Sequence, residues 1–262
     1  MITNSTKLQF DHPSFVQRIK SMLKVDFYRL FRTPLFYIMV MVSALIPALV
    51  LTMVGANEAE GAKTFTNVWQ VVESISGANK GAGIMDLATM CNINMVFIFT
   101  AIMISIFVSH DYSSGYNKSI FTVHSKKVDY VISKAIVGFI SGACMIVAYL
   151  LGAIIAGAIC GLSFSLGKAT VANLFACIFS KIGLMAIFVP LYIIVSVFFK
   201  QKLWLSIIGS FVVGILFYPV AMLTSPLNAG ILHLLLCLAG SAAFGVLFGY
   251  LATLILNKRD LF

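Results

Sequence analysis

Residues 203–256 read LWLSIIGSFVVGILFYPVAMLTSPLNAGILHLLLCLAGSAAFGVLFGYLATLIL, two long apolar runs on either side of one short turn. The runs 203–223 and 231–256 contain no Asp, Glu, Lys or Arg. A helix rises about 1.5 Å per residue, so about 20 residues cover the hydrocarbon core of a bilayer. TSPLNAG, residues 224–230, concentrates turn-forming residues. The stretch therefore predicts a pair of membrane-spanning helices joined by a tight turn. Runs of the same kind recur upstream at about 34–55, 90–109, 135–161 and 174–199. None has the two-residue alternation and ten-residue rhythm of a membrane β-barrel strand. The expected fold is an all-α polytopic membrane protein with six transmembrane helices.

Composition agrees. Of 262 residues, 60% are hydrophobic and 10% charged, with 22 Phe. A soluble domain carries about 25% charged residues, and a water-facing surface needs them. Cys91, Cys144, Cys160, Cys177 and Cys237 lie in or beside apolar runs, without metal-ligand spacing, and read as small hydrophobes. No cleavable leader pattern precedes the first long run near Pro34. Pro34 suits a helix start, whereas Pro47, Pro190 and Pro219 fall inside runs and predict bends. The third run carries Gly138, Gly142, Gly152 and Gly157, small residues that let helices approach closely in lipid.

The formal charge is +9, from 18 Lys and Arg against 9 Asp and Glu. The segments 1–33, 110–134, 200–202 and 257–262 together carry all of it, and the segments on the other side cancel. That is the bias of cytoplasmic loops, so both termini are expected in the cytoplasm. No basic face interleaved with aromatics suggests nucleic acid. Lys181 falls early in the fourth run and is expected to snorkel to water. Residues 56–89 form the longest segment on the other side, with 64–76 expected to form a short helix or lie against the membrane surface, and Gly77, Gly81 and Gly83 beyond it.

Residues 1–13 are polar and expected to be poorly ordered. SFVQRIKSMLKVDFYRLFR, residues 14–32, begins with Ser14 and Gln17 at capping-box spacing. Phe15, Ile19, Leu23, Phe27 and Leu30 form an apolar stripe, while Arg18, Lys20, Lys24, Asp26 and Arg32 fall mostly away from it. A basic amphipathic helix just before a span is expected to lie in the membrane interface.

Several chemistries lack their motifs. There is no G-x-x-x-x-G-K-[ST], H-E-x-x-H, C-x-x-C or G-x-S-x-G, and the four histidines do not cluster. The six runs as drawn contain no Asp or Glu, which disfavours an ion relay built on membrane carboxylates. Asn92 and Asn94 open the second run and are expected to hydrogen-bond to neighbouring helices or headgroups rather than form an active site. The chain is not expected to be an enzyme. Energy for uphill movement would come from a partner.

SHDYSSGYNKSIFTVHSKKVDYVISK, residues 109–134, lies between the second and third runs. Gly115 precedes a short helical candidate at about 116–123, and Tyr112, Tyr116, Ile120 and Phe121 offer it a face for a partner. An ordinary basic membrane loop fits these residues as well.

In this loop the chain resembles the ABC-2 type permease family, the membrane subunits of many bacterial exporters. Asp111 stands where the family usually has Glu, and Gly115 matches its glycine, with Tyr116 in place of the common Thr. Lys126 or Lys127 stands at the usual Arg, and Tyr130 and Lys134 match the residues entering the third span. The layout resembles the family over nearly the whole chain, and the residue match is confined to this loop. The resemblance implies a bacterial cell-membrane protein with a coupling helix after Gly115 that docks on a separate ABC ATPase subunit. The interfacial helix would touch the ATPase too. A second permease subunit, identical or homologous, would complete the pathway, with membrane lipids around it. This chain would bind no cofactor; ATP and Mg would belong to the ATPase. Small subunits of this layout resemble those of antimicrobial-peptide exporters, including lantibiotic self-protection systems, which implies a hydrophobic or amphiphilic passenger. The rival readings are an exporter subunit for drugs, lipids or ions, a non-transporting membrane-bound immunity or regulatory protein, and an intramembrane enzyme.

Overall fold

The computed structural model describes residues 14–56, 67–72, 92–122, 126–166, 169–199, 202–227 and 229–258. Among them are eight α-helices: α1 (Phe15–Arg32), α2 (Pro34–Ala56), α3 (Met95–Ser113), α4 (Tyr116–Thr122), α5 (Lys127–Ile159), α6 (Val171–Phe199), α7 (Leu203–Leu223) and α8 (Ile231–Lys258). Six of these, all but α1 and α4, are long and apolar enough to cross a bilayer. They run alternately up and down, so one end of the bundle carries α1 and α4, the near end here. The expectations for residues 1–13, for 77–89 and for the final four residues concern positions outside the described residues.

Ser14 caps α1 as its spacing predicts. Its hydroxyl accepts from the Gln17 N–H, and the Gln17 side chain accepts from the Ser14 N–H. One residue, Thr33, separates α1 from α2. Pro34 opens α2, and Pro47, Pro190 and Pro219 lie inside α2, α6 and α7.

The helices differ from the apolar runs at the near end. α3 continues to Ser113, beyond the run ending at 109, and α5 begins at Lys127, eight residues before the run at 135. Hydropathy marks where the chain is apolar, whereas backbone hydrogen bonding continues into polar sequence wherever side chains find partners. Asp111 and Asp129 therefore lie on spanning helices, which corrects the expectation that these contain no carboxylate.

α3 and α6 form the interior, packing on each other and on α5 and α7. Phe97, Phe188 and Tyr192 stack between them. α5 packs along α2 through small residues. A Cβ on Gly152 would sit 2.0 Å from the Ala44 carbonyl oxygen, so only glycine permits this approach. α6 also packs along α8, whose outer side chains Leu232, Leu236 and Val246 are exposed.

At the far end, a 3-10 turn at Val68–Val71 tucks against α5, within the region where a short helix is expected. The Tyr149 hydroxyl donates to the Val71 carbonyl at 3.2 Å, and the Trp69 indole N–H to the Phe164 carbonyl at 3.0 Å. Among the described residues, Cys144, Cys160, Cys177 and Cys237 form no disulfide with one another.

Candidate functional site

The near end is built around a buried knot of ions. Three helices supply it, and helical spacing selects the residues. On α1, Arg18, Met22, Asp26, Arg29 and Leu30 recur every three or four positions, which places them on one face. On α5, Asp129 and Ser133 form one such pair and Tyr130 and Lys134 the next. Asp111 comes from the last turns of α3.

Lys134 is the hub. Its Nζ donates to Asp26 Oδ1 at 2.7 Å and lies 2.7 Å from Asp111 Oδ2, under the Phe107 ring at 4.1 Å. Arg29 Nη2 meets Asp111 Oδ1 at 2.5 Å, and its guanidinium lies 4.1 Å from the Tyr116 ring. The Tyr130 hydroxyl donates to Asp111 Oδ2 at 3.0 Å and that of Ser133 to Asp26 Oδ2 at 2.6 Å. Arg18 Nε donates to Asp129 Oδ2 at 2.8 Å. Three carboxylates thus face three cations. Asp26, Asp111, Asp129 and Lys134 are all buried, at most 2% exposed. Isolated charges cannot stay ionised at such burial, and mutual pairing with hydrogen bonds offsets the desolvation.

These contacts revise the reading of α1. Asp26 and Arg18 point into the protein, and with Arg29 they form part of the docking face of α1. Leu30 is buried, Leu23 and Phe27 pack on the core, Ile19 is half-buried and Phe15 is exposed. The apolar stripe thus shares the docking face with these charges at Leu30 and borders it at Leu23 and Phe27. A scan for apolar periodicity misses Asp26, Arg29, Asp129 and Ser133. The i, i+3 and i, i+4 spacing of charges on 18–29 and 129–134 is the signal that marks them.

Every described carboxylate belongs to this knot. Among the described residues the remaining near-end surface is therefore basic, with Lys20, Lys24, Arg32, Lys126 and Lys258 exposed. Burial works against the charge of Arg29, but Asp111 at contact distance outweighs it, and the guanidinium ends above its ordinary value. Burial, with Asp26 adding to it, pushes the Tyr116 hydroxyl up to about 12.

Gly115 separates α3 from α4. Its φ of +70° is costly for any residue with a Cβ, so glycine both stops α3 and turns the chain into α4. Tyr116, Ile120 and Phe121 are half-buried; Phe121 meets Tyr130 edge-on at 5.7 Å, and Ser119 and Thr122 are exposed. Lys126 is exposed at the start of α5. Lys127 Nζ donates to the Leu256 carbonyl at 2.9 Å, holding the last turn of α8. The structure thus gathers Asp111, Tyr116, Tyr130 and Lys134 in the knot and leaves Lys126 and Lys127 outside it. Asp111, Tyr130 and Lys134 are buried.

Two further polar clusters tie the rest. The Ser105 hydroxyl donates to Ser210 Oγ at 2.7 Å and that of Ser206 to Ser196 Oγ at 3.0 Å, joining α3, α6 and α7. Toward the far end, Lys181 Nζ donates to Asn94 Oδ1 at 3.0 Å and Ser225 Oγ at 2.8 Å, and the Tyr218 hydroxyl to Asn92 Oδ1 at 2.8 Å. Lys181 is 1% exposed, so it does not snorkel: polar partners lie within the bundle. Both asparagines bond to neighbouring helices, the role expected of them. Among the described residues, no group of three His, Cys, Asp or Glu side chains could hold a metal ion.

Six helices able to span a bilayer, with a capped helix before the first and a short helix after the second, make an all-α polytopic membrane protein. Residues 22–217 match the ABC-2 family transporter proteins, and the chain belongs to that family. The match runs from the face of α1 that enters the knot to most of α7. No curated protein and no solved structure matches the chain.

Proposed function

We propose that this chain is the permease subunit of an ATP-driven ABC exporter, with its near end in the cytoplasm. The observation that carries the reading is the connection of α4 to the buried knot. Gly115 starts α4 four residues after Asp111, Tyr116 lies against Arg29, and Phe121 lies against Tyr130. A push on α4 therefore reaches α1, α3 and α5 together. Coupling between distant sites needs an element that both sites bias, and the knot ties three helices into one such element. Ile120, Phe121 and the exposed Thr122 would meet a separate ABC ATPase, which holds ATP and Mg. Asp111, Gly115, Tyr116, Tyr130 and Lys134 act as positioning residues beneath α4. The uncompensated basic surface supports the cytoplasmic placement of this end and of both termini.

The exposed apolar faces of α7 and α8 suit lipid and a second permease subunit. A hydrophobic or amphiphilic passenger, such as an antimicrobial peptide, fits a bundle with no described carboxylate outside the knot. The test is copurification from native membranes with identification of every stoichiometric partner. We expect an ABC ATPase in the wild-type complex, and its loss in I120E/F121E and in T122R. The exposed Thr122 guards against a folding artefact. An ATPase retained by all variants would overturn docking through α4. A stoichiometric complex without an ATPase would favour a membrane-bound immunity or regulatory protein.

A further inference from the structure

The corner where α1 turns into α2 borders a cavity of about 240 Å³ against the end of α3. Arg29, Arg32, Tyr28 and His110 line its polar side, and Leu35 and Phe107 its apolar side. Its charges are not balanced. Arg32 is exposed, forms no ion pair among the described residues, and is held by a hydrogen bond from Nη1 to the Tyr28 hydroxyl at 2.9 Å. Arg29 spends Nη2 on Asp111, while its Nη1 is buried without a hydrogen-bond partner, 3.8 Å from Asp26. Asp26 and Asp111 are the carboxylates nearest this wall, and both are already engaged by Lys134. The cavity therefore presents the Arg32 guanidinium without a counter-ion, beside the unbonded Nη1 of Arg29, an imidazole and a hydroxyl.

Position decides what kind of anion. Thr33 alone separates α1 from the apolar span, so the cavity lies where hydrocarbon gives way to headgroups. Directly after it, Tyr37, Ile38 and Met41 of α2 are exposed at 55%, 53% and 64%, an apolar track for acyl chains. Basic pockets between helices at this depth bind anionic headgroups, and a guanidinium fork matches phosphate oxygens.

We propose that this cavity binds the phosphate of an anionic phospholipid from the leaflet on the near side. Arg32 and Arg29 hold the phosphate, His110 closes the third side, and Leu35 and Phe107 pack against the first carbons of the chains. The lipid thereby contacts Arg29, a member of the ion knot, and braces the joint between α1 and α2. Headgroup selection at this corner requires neither a passenger nor an ATPase.

The test uses the delipidated full-length chain in an uncharged detergent. Native mass spectrometry counts lipid adducts with phosphatidylglycerol, with phosphatidylcholine of the same acyl chains, and with inorganic phosphate. Thermal unfolding is read in parallel. We expect phosphatidylglycerol to be bound about fivefold in preference to phosphatidylcholine, as one basic group at an anionic headgroup commonly provides. It should also raise the melting temperature, which inorganic phosphate alone should not. R32Q should abolish the preference, and L35W, which fills the cavity without removing charge, should do the same. K20Q removes an exposed cation of α1 outside the cavity and should leave the preference intact. Equal binding of the two lipids, or an unchanged preference in R32Q, overturns the site. Equal loss in K20Q would mean diffuse attraction to a basic surface, and stabilisation by inorganic phosphate would mean a soluble anion; either overturns the proposal.

Discussion

Lys134 and Lys181 are both withdrawn from solvent, one towards each end of the bundle, and they are stabilised by different means. Lys134 touches two carboxylates that are themselves buried. Lys181 is hydrogen-bonded by an amide and a hydroxyl, with Tyr218 and Asn92 nearby in the same polar layer. The difference is one of reach. The ionic knot binds α1, α3 and α5, and its members depend on one another for charge balance. The hydrogen bonds of Lys181 reach α6, the residues before α3 and the turn after α7, and each exchanges one neutral partner at a time. A near end built from mutually dependent charges ties three helices together. The far end is a set of local staples.

Removing the hub should separate the two most widely. K134M leaves Asp26 and Asp111 to share Arg29 in a buried setting. We expect a loss of about 3–5 kcal/mol, the range for stripping one partner from a buried ion pair, read by reversible unfolding in detergent. A loss no larger than that of an exposed lysine variant such as K20Q would break the comparison. K181M removes hydrogen bonds from a charged donor and should cost about 1.5–3 kcal/mol. If K181M proves the costlier, the far end is the stronger joint.

Smaller changes sharpen the picture at its edges. G115A forces a Cβ into the left-handed region, at about 1–2 kcal/mol, and shifts the end of α3 next to Asp111. Combined with K134M its effect should fall short of the sum, since both variants disturb the same knot. Additivity would show that Gly115 acts on α4 alone. The smallest effect is on pH dependence. The Tyr116 hydroxyl ionises near 10 when unfolded and at about 12 when folded. Between those values the unfolded chain holds fewer protons, so stability falls as pH rises through that window. Y116F should flatten the fall.

The spans were legible because crossing a bilayer is a one-dimensional requirement. Residues 203–223 are apolar along their whole length, and α7 has those same bounds. The cap at Ser14 was equally plain, since a capping box closes over three residues. Where polar sequence abuts a span, the reading stopped short: α5 runs eight residues further toward the near end than its apolar run because Asp129, Tyr130, Ser133 and Lys134 meet partners there. The expected outward path for Lys181 failed for the same reason, since Ser225 and Asn94 reach it from 44 and 87 residues away in the chain.

Sequence alone thus determined a six-span, helix-capped membrane protein with basic segments biased to one side, because apolar length and charge bias are summed along the chain. Gly115 belongs to the same level, its positive φ being a local demand. Tertiary structure alone decided that the carboxylates of α1, α3 and α5 are buried together and that Gly152 rests on Ala44. Asp26 and Lys134 lie 108 residues apart, and whether a charge faces water or its counter-ion depends on which helices pack side by side.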